Sequence, residues 1–219
     1  METITHLISV FEFVLKGVTV TLEYTVLSAI GGFLIGLLIA LMNVGSRPGV
    51  RTFARIYTSI FRGTPMLLQL SIVYFGIPSL TAYKISPLLA GVIAFSLNSA
   101  AYVAEVLRAG IQAIDVGQFE ASNALNIPRF LMMKDIILPQ AFRNTLPALV
   151  NEVINLLKET ALISTLGEGD IIRRAQLIAA ETYTYFEPLM MAALCYYGIV
   201  LLLSACVRVL ERRLGYATN

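Results

Sequence analysis

The chain has 219 residues, of which 57% are hydrophobic and 14% are charged, and its formal net charge is +2. This balance leaves too few polar side chains to cover a soluble globule, so the composition predicts an integral membrane protein. The small net charge, with no basic stretch interleaved with aromatic residues, argues against a nucleic-acid partner.

Apolar runs long enough to span a bilayer, which needs roughly 20 residues, recur along the chain. They predict an all-α protein with about five transmembrane helices, near residues 18 to 44, 56 to 80, 86 to 107, 140 to 163 and 188 to 210. Arg62-Gly63-Thr64-Pro65 interrupts the second run, and a polar stripe crosses the fourth. Residues 1–15 lack the basic start of a signal peptide and are predicted to form an interfacial helix.

Two spans contain short patterns with alternative interpretations. Gly32 and Gly36 form a G-x-x-x-G pattern in the first span, which is compatible with packing inside the chain or with a dimer seam. Glu105 and Arg108, three residues apart in the third span, are expected to form a structural pair on the helix surface.

A polar loop of about 25 residues, Asp115 to Pro139, follows the third span. Asp115 with Gln118 resembles a capping box, and Asn126 before Ile127-Pro128 is a plausible left-handed stop, so a helix is expected from Val116 to Leu125. Pro128 suits the first turn of a second short helix, which Pro139 should end or kink. The helix from Val116 to Leu125 is too short to span a bilayer, so it belongs at the membrane surface with Phe119 available to a partner. The alternative is an ordinary loop helix folded back on its own bundle.

The fourth predicted span has one polar face. At 100° per residue its polar residues fall within an arc of about 120°, and they are Asn151, Glu152, Asn155, Lys158 and Glu159. Ionisable groups at membrane depth are costly unless they face protein or water, so this face points to a substrate path. For Glu152 this interpretation and simple pairing across helices are equally favoured, whereas pairing is favoured for Lys158 and Glu159.

The basic residues predict the orientation. If the N-terminus is outside, four basic residues lie outside, Lys16, Lys84, Arg173 and Arg174, and Lys158 lies within a span. Eleven lie inside, namely Arg47, Arg51, Arg55, Arg62, Arg108, Arg129, Lys134, Arg143, Arg208, Arg212 and Arg213. The positive-inside rule favours this arrangement, with the C-terminus and the loop of residues 108–139 in the cytoplasm.

No enzymatic chemistry is indicated. Gly167-Glu168-Gly169-Asp170 reads G-x-G-D, as in aspartyl intramembrane proteases, but Asp115 and Asp135 lie on the opposite side and cannot face Asp170. The lone His6 has no partners for a metal site, and neither H-E-x-x-H nor a G-x-x-x-x-G-K-[ST] phosphate loop occurs.

The motifs taken together resemble a known family. The loop, with Glu120-Ala121-Ser122, Asn126 and Ile136-Ile137-Leu138-Pro139, is similar to the EAA loop of bacterial ABC importer permeases. Ser122 and Asn126 replace the usual alanine and glycine. Four further segments look like polar-amino-acid permeases of the histidine, glutamine and arginine uptake type, and they are Arg62 to Pro65, Gln69, Asn98 to Glu105 with Arg108, and Leu157 to Leu162.

The resemblance implies a type I importer permease on the bacterial inner membrane, working with a pair of ATP-binding subunits, a second permease and an external substrate-binding protein. ATP and magnesium belong to the ATPase, and no cofactor is expected on this chain. The expected organisation is an interfacial helix (1–15), a permease domain (16–212) with the cytoplasmic coupling loop 108–139, and a cytoplasmic tail (213–219). The coupling residues would be Gly117, Gln118, Phe119, Glu120, Ala121, Ser122, Leu125 and Asn126.

An amino acid zwitterion requires an acceptor for its ammonium group and donors for its carboxylate. Glu152 is the candidate acceptor, and the other candidate substrate residues are Thr64, Gln69, Asn98 and Asn155. The alternative function is a passive channel or a membrane scaffold without ATP coupling. Which amino acid is carried, and whether the second permease is identical, both stay open.

Overall fold

The computed structural model describes residues 2–45 and 47–213, and the side chains within residues 6–45 and 47–209. All regular structure in this part is helical, as predicted. The α-helices are α1 (Glu2–Leu15), α2 (Val18–Val44), α3 (Pro48–Gly63), α4 (Met66–Ser71), α5 (Ile77–Thr81), α6 (Pro87–Gln112), α7 (Val116–Ala124), α8 (Arg129–Leu131), α9 (Leu138–Glu159), α10 (Ile171–Thr182) and α11 (Phe186–Arg213). π-Helical turns at Ile72–Gly76 and Met132–Ile137 and a 3₁₀ segment at Thr160–Leu166 complete the fold.

Three stretches of the described part are long and apolar enough to cross a membrane: His6–Val44, Pro87–Gln112 and Phe186–Val209. A fourth is obtained if α3 and the α4–α5 stretch, which meet at an angle of 102°, count as one broken span. The break lies at Thr64-Pro65, within the predicted interruption. The predicted fourth span corresponds to α9, which has 22 residues but carries too many polar side chains to be recognised by hydropathy.

The N-terminal helix α1 forms one long apolar stretch with α2. The 39-residue stretch His6–Val44 joins α1 to α2 and is almost twice as long as a span requires. Val10 and Val14 are buried, and α1 packs against α10 and α11. An interfacial position for residues 1–15 stays a prediction, and of the predicted tail only Arg213 falls within the described residues.

Helices α2 and α6 pack closely because small residues face each other. A Cβ atom added to Gly32 would lie 2.8 Å from Ser99 Cβ, and one added to Gly36 would lie 2.7 Å from Val103 Cβ and 2.9 Å from the Ala100 carbonyl oxygen. Both glycines are buried. The G-x-x-x-G pattern therefore serves packing inside the chain, which was one of the two interpretations.

Replacing Gly36 with alanine should destabilise the protein by about 1–3 kcal/mol, because the added Cβ presses on backbone that cannot rotate away. Gly49→Ala is the matched control, since nothing lies within 4 Å of a Cβ added there. We expect thermal unfolding in detergent to start at a lower temperature for Gly36→Ala and to be unchanged or later for Gly49→Ala. Equal melting of the two variants would refute the close-packing argument.

The polar loop forms the predicted capped helix. Asp115 Oδ1 accepts a hydrogen bond from the Gly117 backbone N–H at 2.6 Å at the start of α7. Asn126 has φ 52°, and the Ile127 N–H donates to the Ser122 carbonyl at 3.0 Å, which is the six-residue hydrogen bond of a Schellman stop. The predicted left-handed stop is confirmed, and the helix ends at Ala124, one residue earlier than expected.

Pro139 does not end the following helix, so of the two expected outcomes, an end or a kink, the end is wrong. Helical conformation runs from Arg129 to Glu159, and Pro139 lies in the first turn of α9. The π-helical turn Met132–Ile137 immediately precedes the proline. Its wider winding makes room for a ring that would clash with the carbonyl four residues earlier in a regular α-helix, so the chain continues.

Asp170, the aspartate of the G-x-G-D pattern, caps a helix. Its carboxylate accepts hydrogen bonds from the Ile172 N–H at 3.2 Å and the Arg173 N–H at 3.0 Å at the start of α10. The side chain is fully buried, and Gly17 packs so closely that an added Cβ would lie 2.5 Å from the Ile171 nitrogen. Asp170 therefore has a structural role, in agreement with the exclusion of protease chemistry.

Burial raises the pKa of Asp170 to about 6 from 3.8, and it outweighs the two backbone hydrogen bonds and Arg173, which lower the pKa. The folded state therefore binds the Asp170 proton more tightly than the unfolded state, so stability should fall as pH rises from about 4 to about 6. Asp170→Asn keeps an acceptor without the charge and should flatten this part of the profile. Thermal unfolding measured across that range tests the prediction, and an identical slope in the variant would contradict it.

Candidate functional site

The polar face of α9 lines a cavity of about 550 Å³. Its lining residues are Tyr102, Glu152, Asn155, Lys158, Glu159, Ala161 and Leu162. The opposite face, with Leu149, Leu156 and Leu157, is buried in the protein, as the helical arc predicted. The cavity therefore brings two carboxylates, one ammonium group and one amide to a single concave surface. These groups complement the two charges of a zwitterion.

Glu152 is the best-oriented carboxylate of this cavity. It is half-buried, and its Oε1 accepts a hydrogen bond from Ser99 Oγ at 3.3 Å. A Cβ added to Gly32 would lie 2.9 Å from Ser99 Oγ, so the hydroxyl that contacts Glu152 is packed at the α2–α6 contact. Glu152 also borders a second, apolar cavity of about 370 Å³, between α2, α6 and α9.

Lys158 and Glu159 had been expected to pair with other charged groups across helices. Among the side chains that the structure describes, neither forms an ion pair within 4.0 Å. Lys158 and Asn155 are exposed in the single chain, whereas Glu159 is half-buried. Both charged groups lie at the cavity, and their pairing across helices stays a prediction.

Thr64, Gln69 and Asn98, three of the predicted substrate residues, lie elsewhere. Gln69 Nε2 donates to Thr64 Oγ1 at 2.8 Å and to the Phe61 carbonyl at 2.9 Å. Asn98 Nδ2 donates to Gln69 Oε1 at 3.0 Å. Gln69 and Asn98 are buried, and these bonds tie the break between α3 and α4 to α6. The amides therefore hold the broken span, since a break leaves backbone carbonyls that require donors, and contact of these residues with the substrate stays a prediction.

An ionic cluster lies beside this break. Glu105 forms a two-point hydrogen-bonded pair with Arg108, which confirms the predicted surface pair. Arg62 Nη1 lies 3.8 Å from Glu105 Oε1, and the Arg62 guanidinium stacks 5.5 Å from the centre of the Tyr102 ring. Because Tyr102 also lines the cavity, the cluster connects α3 to the cavity wall. The position of Arg62 next to Glu105 and Tyr102 could not be predicted from the sequence, because it depends on the bend between α3 and α4.

Helix α7 presents a mixture of exposed and internal residues. Glu120, Ala121 and Leu125 are exposed, and Leu125 reaches 74% exposure. Phe119, in contrast, is half-buried against the cluster formed by Ile114, Met132, Ile137 and Ala141, so it is less available to a partner than expected.

Of the other predicted coupling residues, two are exposed on the surface and two stabilise the conformation of α7. Ser122 is buried, and its hydroxyl donates to the Gln118 carbonyl at 2.7 Å. A Cβ at Gly117 would lie 2.8 Å from Asp115 Oδ1, so glycine keeps the cap intact. Gln118 and Asn126 are exposed.

Two surface residues of the loop were missed by the sequence argument. Val116, the first residue of α7, and Phe130, in α8, are 67% and 73% exposed. Large apolar side chains in a polar loop were a usable signal, because soluble surfaces seldom expose them together. Val116 lies four residues before Glu120, so both project from one face of α7, and the exposed Leu125 follows the C-terminal end of the helix.

Comparison with known proteins supports a common architecture. Residues 32–216 match the family model described as "Binding-protein-dependent transport system inner membrane component". Over 202 residues the chain is 55% identical to the putative glutamine transport system permease protein GlnP of Rickettsia conorii, covering 92% of this chain and 93% of that protein. It is 50% identical over 202 residues to the arginine transport system permease protein ArtQ of Bacillus subtilis, covering 92% of each.

Solved structures agree with this assignment. A crystal structure of an amino acid ABC transporter with histidines superposes with a TM-score of 0.90 and 41% identity, covering 95% of this chain and 97% of that chain. The MetNI methionine ABC transporter in an inward-facing conformation shares the fold, with a TM-score of 0.78 and 21% identity over 92% and 96% of the two chains. The chain therefore belongs to the family of inner membrane components of binding-protein-dependent transport systems, and it is an ABC transporter permease.

Proposed function

We propose that this chain is the permease subunit of an ATP-driven importer of polar amino acids. The observation that carries the proposal is the α9 cavity, with Glu152 and Glu159 as anions and Lys158 as the cation. An ammonium group would bind at Glu152, which Ser99 orients, and the carboxylate would bind at Lys158 and Asn155. The named substrates of the similar permeases, glutamine and arginine, are in keeping with this chemistry.

The α9 cavity of a single chain is open on one side, so a second subunit is needed to close it. Asn155 and Lys158 are exposed on one side of the single chain, and charged groups at membrane depth are costly unless they face protein or water. A second permease, identical or similar, would cover this side and complete the path. The external ends of the helices would then receive a separate substrate-binding protein, with the segment of residues 164–187 among its contacts.

Energy would come from a separate pair of ATPase subunits. The sequence contains no phosphate loop of its own, so ATP and magnesium would be held by those partners. The exposed part of α7, bordered by Val116 and Leu125, supplies the docking surface. In this arrangement the N-terminus lies outside, and the loop of residues 108–139 and the C-terminus lie in the cytoplasm of the bacterium.

The direct test is purification of the tagged chain in mild detergent from its native membrane, followed by mass spectrometry of the proteins that accompany it. An ATP-binding subunit in near-stoichiometric amount is the expected result, and the number of permease species decides between an identical and a similar partner. The purified complex, reconstituted into vesicles with ATP inside, should then take up a polar amino acid. A chain that purifies alone in several detergents, or uptake that is independent of ATP, would refute the proposal.

A further inference from the structure

A second polar cavity lies at the end of the bundle that carries α7. Its volume is about 440 Å³, within the roughly 300–1,000 Å³ range of ligand pockets. It is formed where the C-terminal end of α2, the first half of α3 and the last two turns of α6 meet. Its polar lining consists of Asn43, Arg51, Arg55, Thr58, Glu105, Arg108 and Gln112, and we call it the arginine notch.

The notch has an excess of positive charge. Arg51 and Arg55 are four residues apart, so they project from the same face of α3. Within the part of the chain whose side chains are described, no carboxylate lies within 4.0 Å of either guanidinium. Arg108 is already bound to Glu105 and Gln112, which leaves the two α3 arginines as the uncompensated charges.

The neighbouring face of α3 is apolar and uncovered. Phe53, Ile56 and Ile60 are each more than half exposed, at 57%, 53% and 54%. An amphipathic helix that combines such a face with adjacent arginines suits the boundary between acyl chains and lipid headgroups. The arginines would then lie at the depth of the phosphate groups, on the side of the membrane where α7 lies.

We propose that the arginine notch binds the phosphate of an anionic phospholipid in the leaflet on the α7 side. Arg51 and Arg55 donate to the phosphate oxygens, and Asn43 and Gln112 are placed to contact the remaining polar atoms of the headgroup. This goes beyond the proposed transport function, because the site differs from the α9 cavity. The notch also lies next to the proposed coupling helix α7, since α6 ends at Gln112 and α7 begins at Val116.

Native mass spectrometry of the purified transporter complex, titrated with phosphatidylglycerol and separately with phosphatidylcholine, tests the proposal. Arg51→Gln combined with Arg55→Gln should weaken phosphatidylglycerol binding about thirtyfold, because each arginine contributes about 1 kcal/mol to the binding free energy of an anionic lipid. Lys134→Gln combined with Arg143→Gln is the matched control. Both of these residues are exposed, lie outside residues 115–131 and are predicted to lie on the same side of the membrane, and the pair removes the same charge outside the notch. Arg51→Lys with Arg55→Lys keeps the charge and should retain most of the binding.

Three results would overturn the proposal. Equal weakening in the notch and control pairs would mean general surface attraction without a site. Binding of phosphatidylcholine as tight as that of phosphatidylglycerol would exclude recognition of the anionic charge. Displacement of the lipid by inorganic phosphate at similar affinity would assign the notch to a soluble anion. Thermal unfolding of each variant, measured in parallel, separates a lost site from a lost fold.

Discussion

Glu152→Gln should reduce the uptake of amino acid by about tenfold to a hundredfold in kcat/KM. The change removes the charge that we propose receives the substrate's ammonium group, while keeping the size of the side chain and an acceptor for the Ser99 hydroxyl. A hydrogen bond to a charged group contributes about 1.5–3 kcal/mol, which corresponds to this loss. ATP-driven uptake of radiolabelled amino acid into vesicles that contain the complete transporter measures the effect.

Glu23→Gln is the matched control for this experiment. Glu23 is an exposed carboxylate of α2 that does not line the α9 cavity, so the variant loses the same charge elsewhere in the membrane domain. Its uptake should equal that of the unmodified protein. If Glu152→Gln assembles normally and transports with unchanged affinity and rate, the carboxylate does not contact the substrate, and the assignment of the cavity fails.

Glu120→Lys should abolish ATP-driven uptake while the chain still inserts and folds. Glu120 is exposed on α7, on the same face as the exposed Val116, so it lies on the surface proposed for docking of the ATPase. Reversing a charge in an interface places like charges together at a cost of several kcal/mol. We expect uptake near background and little ATPase subunit in the purified complex, with normal amounts of permease in the membrane.

Asp135→Lys reverses a charge at the same end of the molecule as a control. Asp135 is exposed in the π-helical turn after α8, beyond residues 115–131. Its variant should keep most of the uptake, because it alters the general charge of the surface without altering α7. Normal uptake by Glu120→Lys at normal expression would remove residues 115–131 from the coupling role.

The position of the caps in the polar loop could be read from the sequence because caps are local. Asp115 and Asn126 act on backbone groups within a few residues, through a hydrogen bond to Gly117 and a left-handed φ. The continuation of the helix through Pro139 could not be read in this way. It depends on a π-helical turn whose winding no local propensity predicts.

In the candidate site, too, only the arrangement of residues within one helix could be predicted from the sequence. Glu152 and Asn155 share one helix, so their spacing places them on one face and in one cavity. Gln69 and Asn98 are separated by 29 positions, and only the 102° break between α3 and α4 brings their amides together. Polarity alone marks both groups of residues, and it does not distinguish a ligand contact from a satisfied internal hydrogen bond.

By itself, the sequence determined that this is a helical membrane protein with a capped polar helix between two spans and one polar face on α9. Those properties follow from composition and from periodicity within single helices. Tertiary structure decided which polar residues meet: Glu152 with Ser99, Gln69 with Asn98, and Arg62 with Tyr102. Contacts between helices depend on their crossing geometry, which close packing at glycines such as Gly36 sets and which spacing along the chain does not encode.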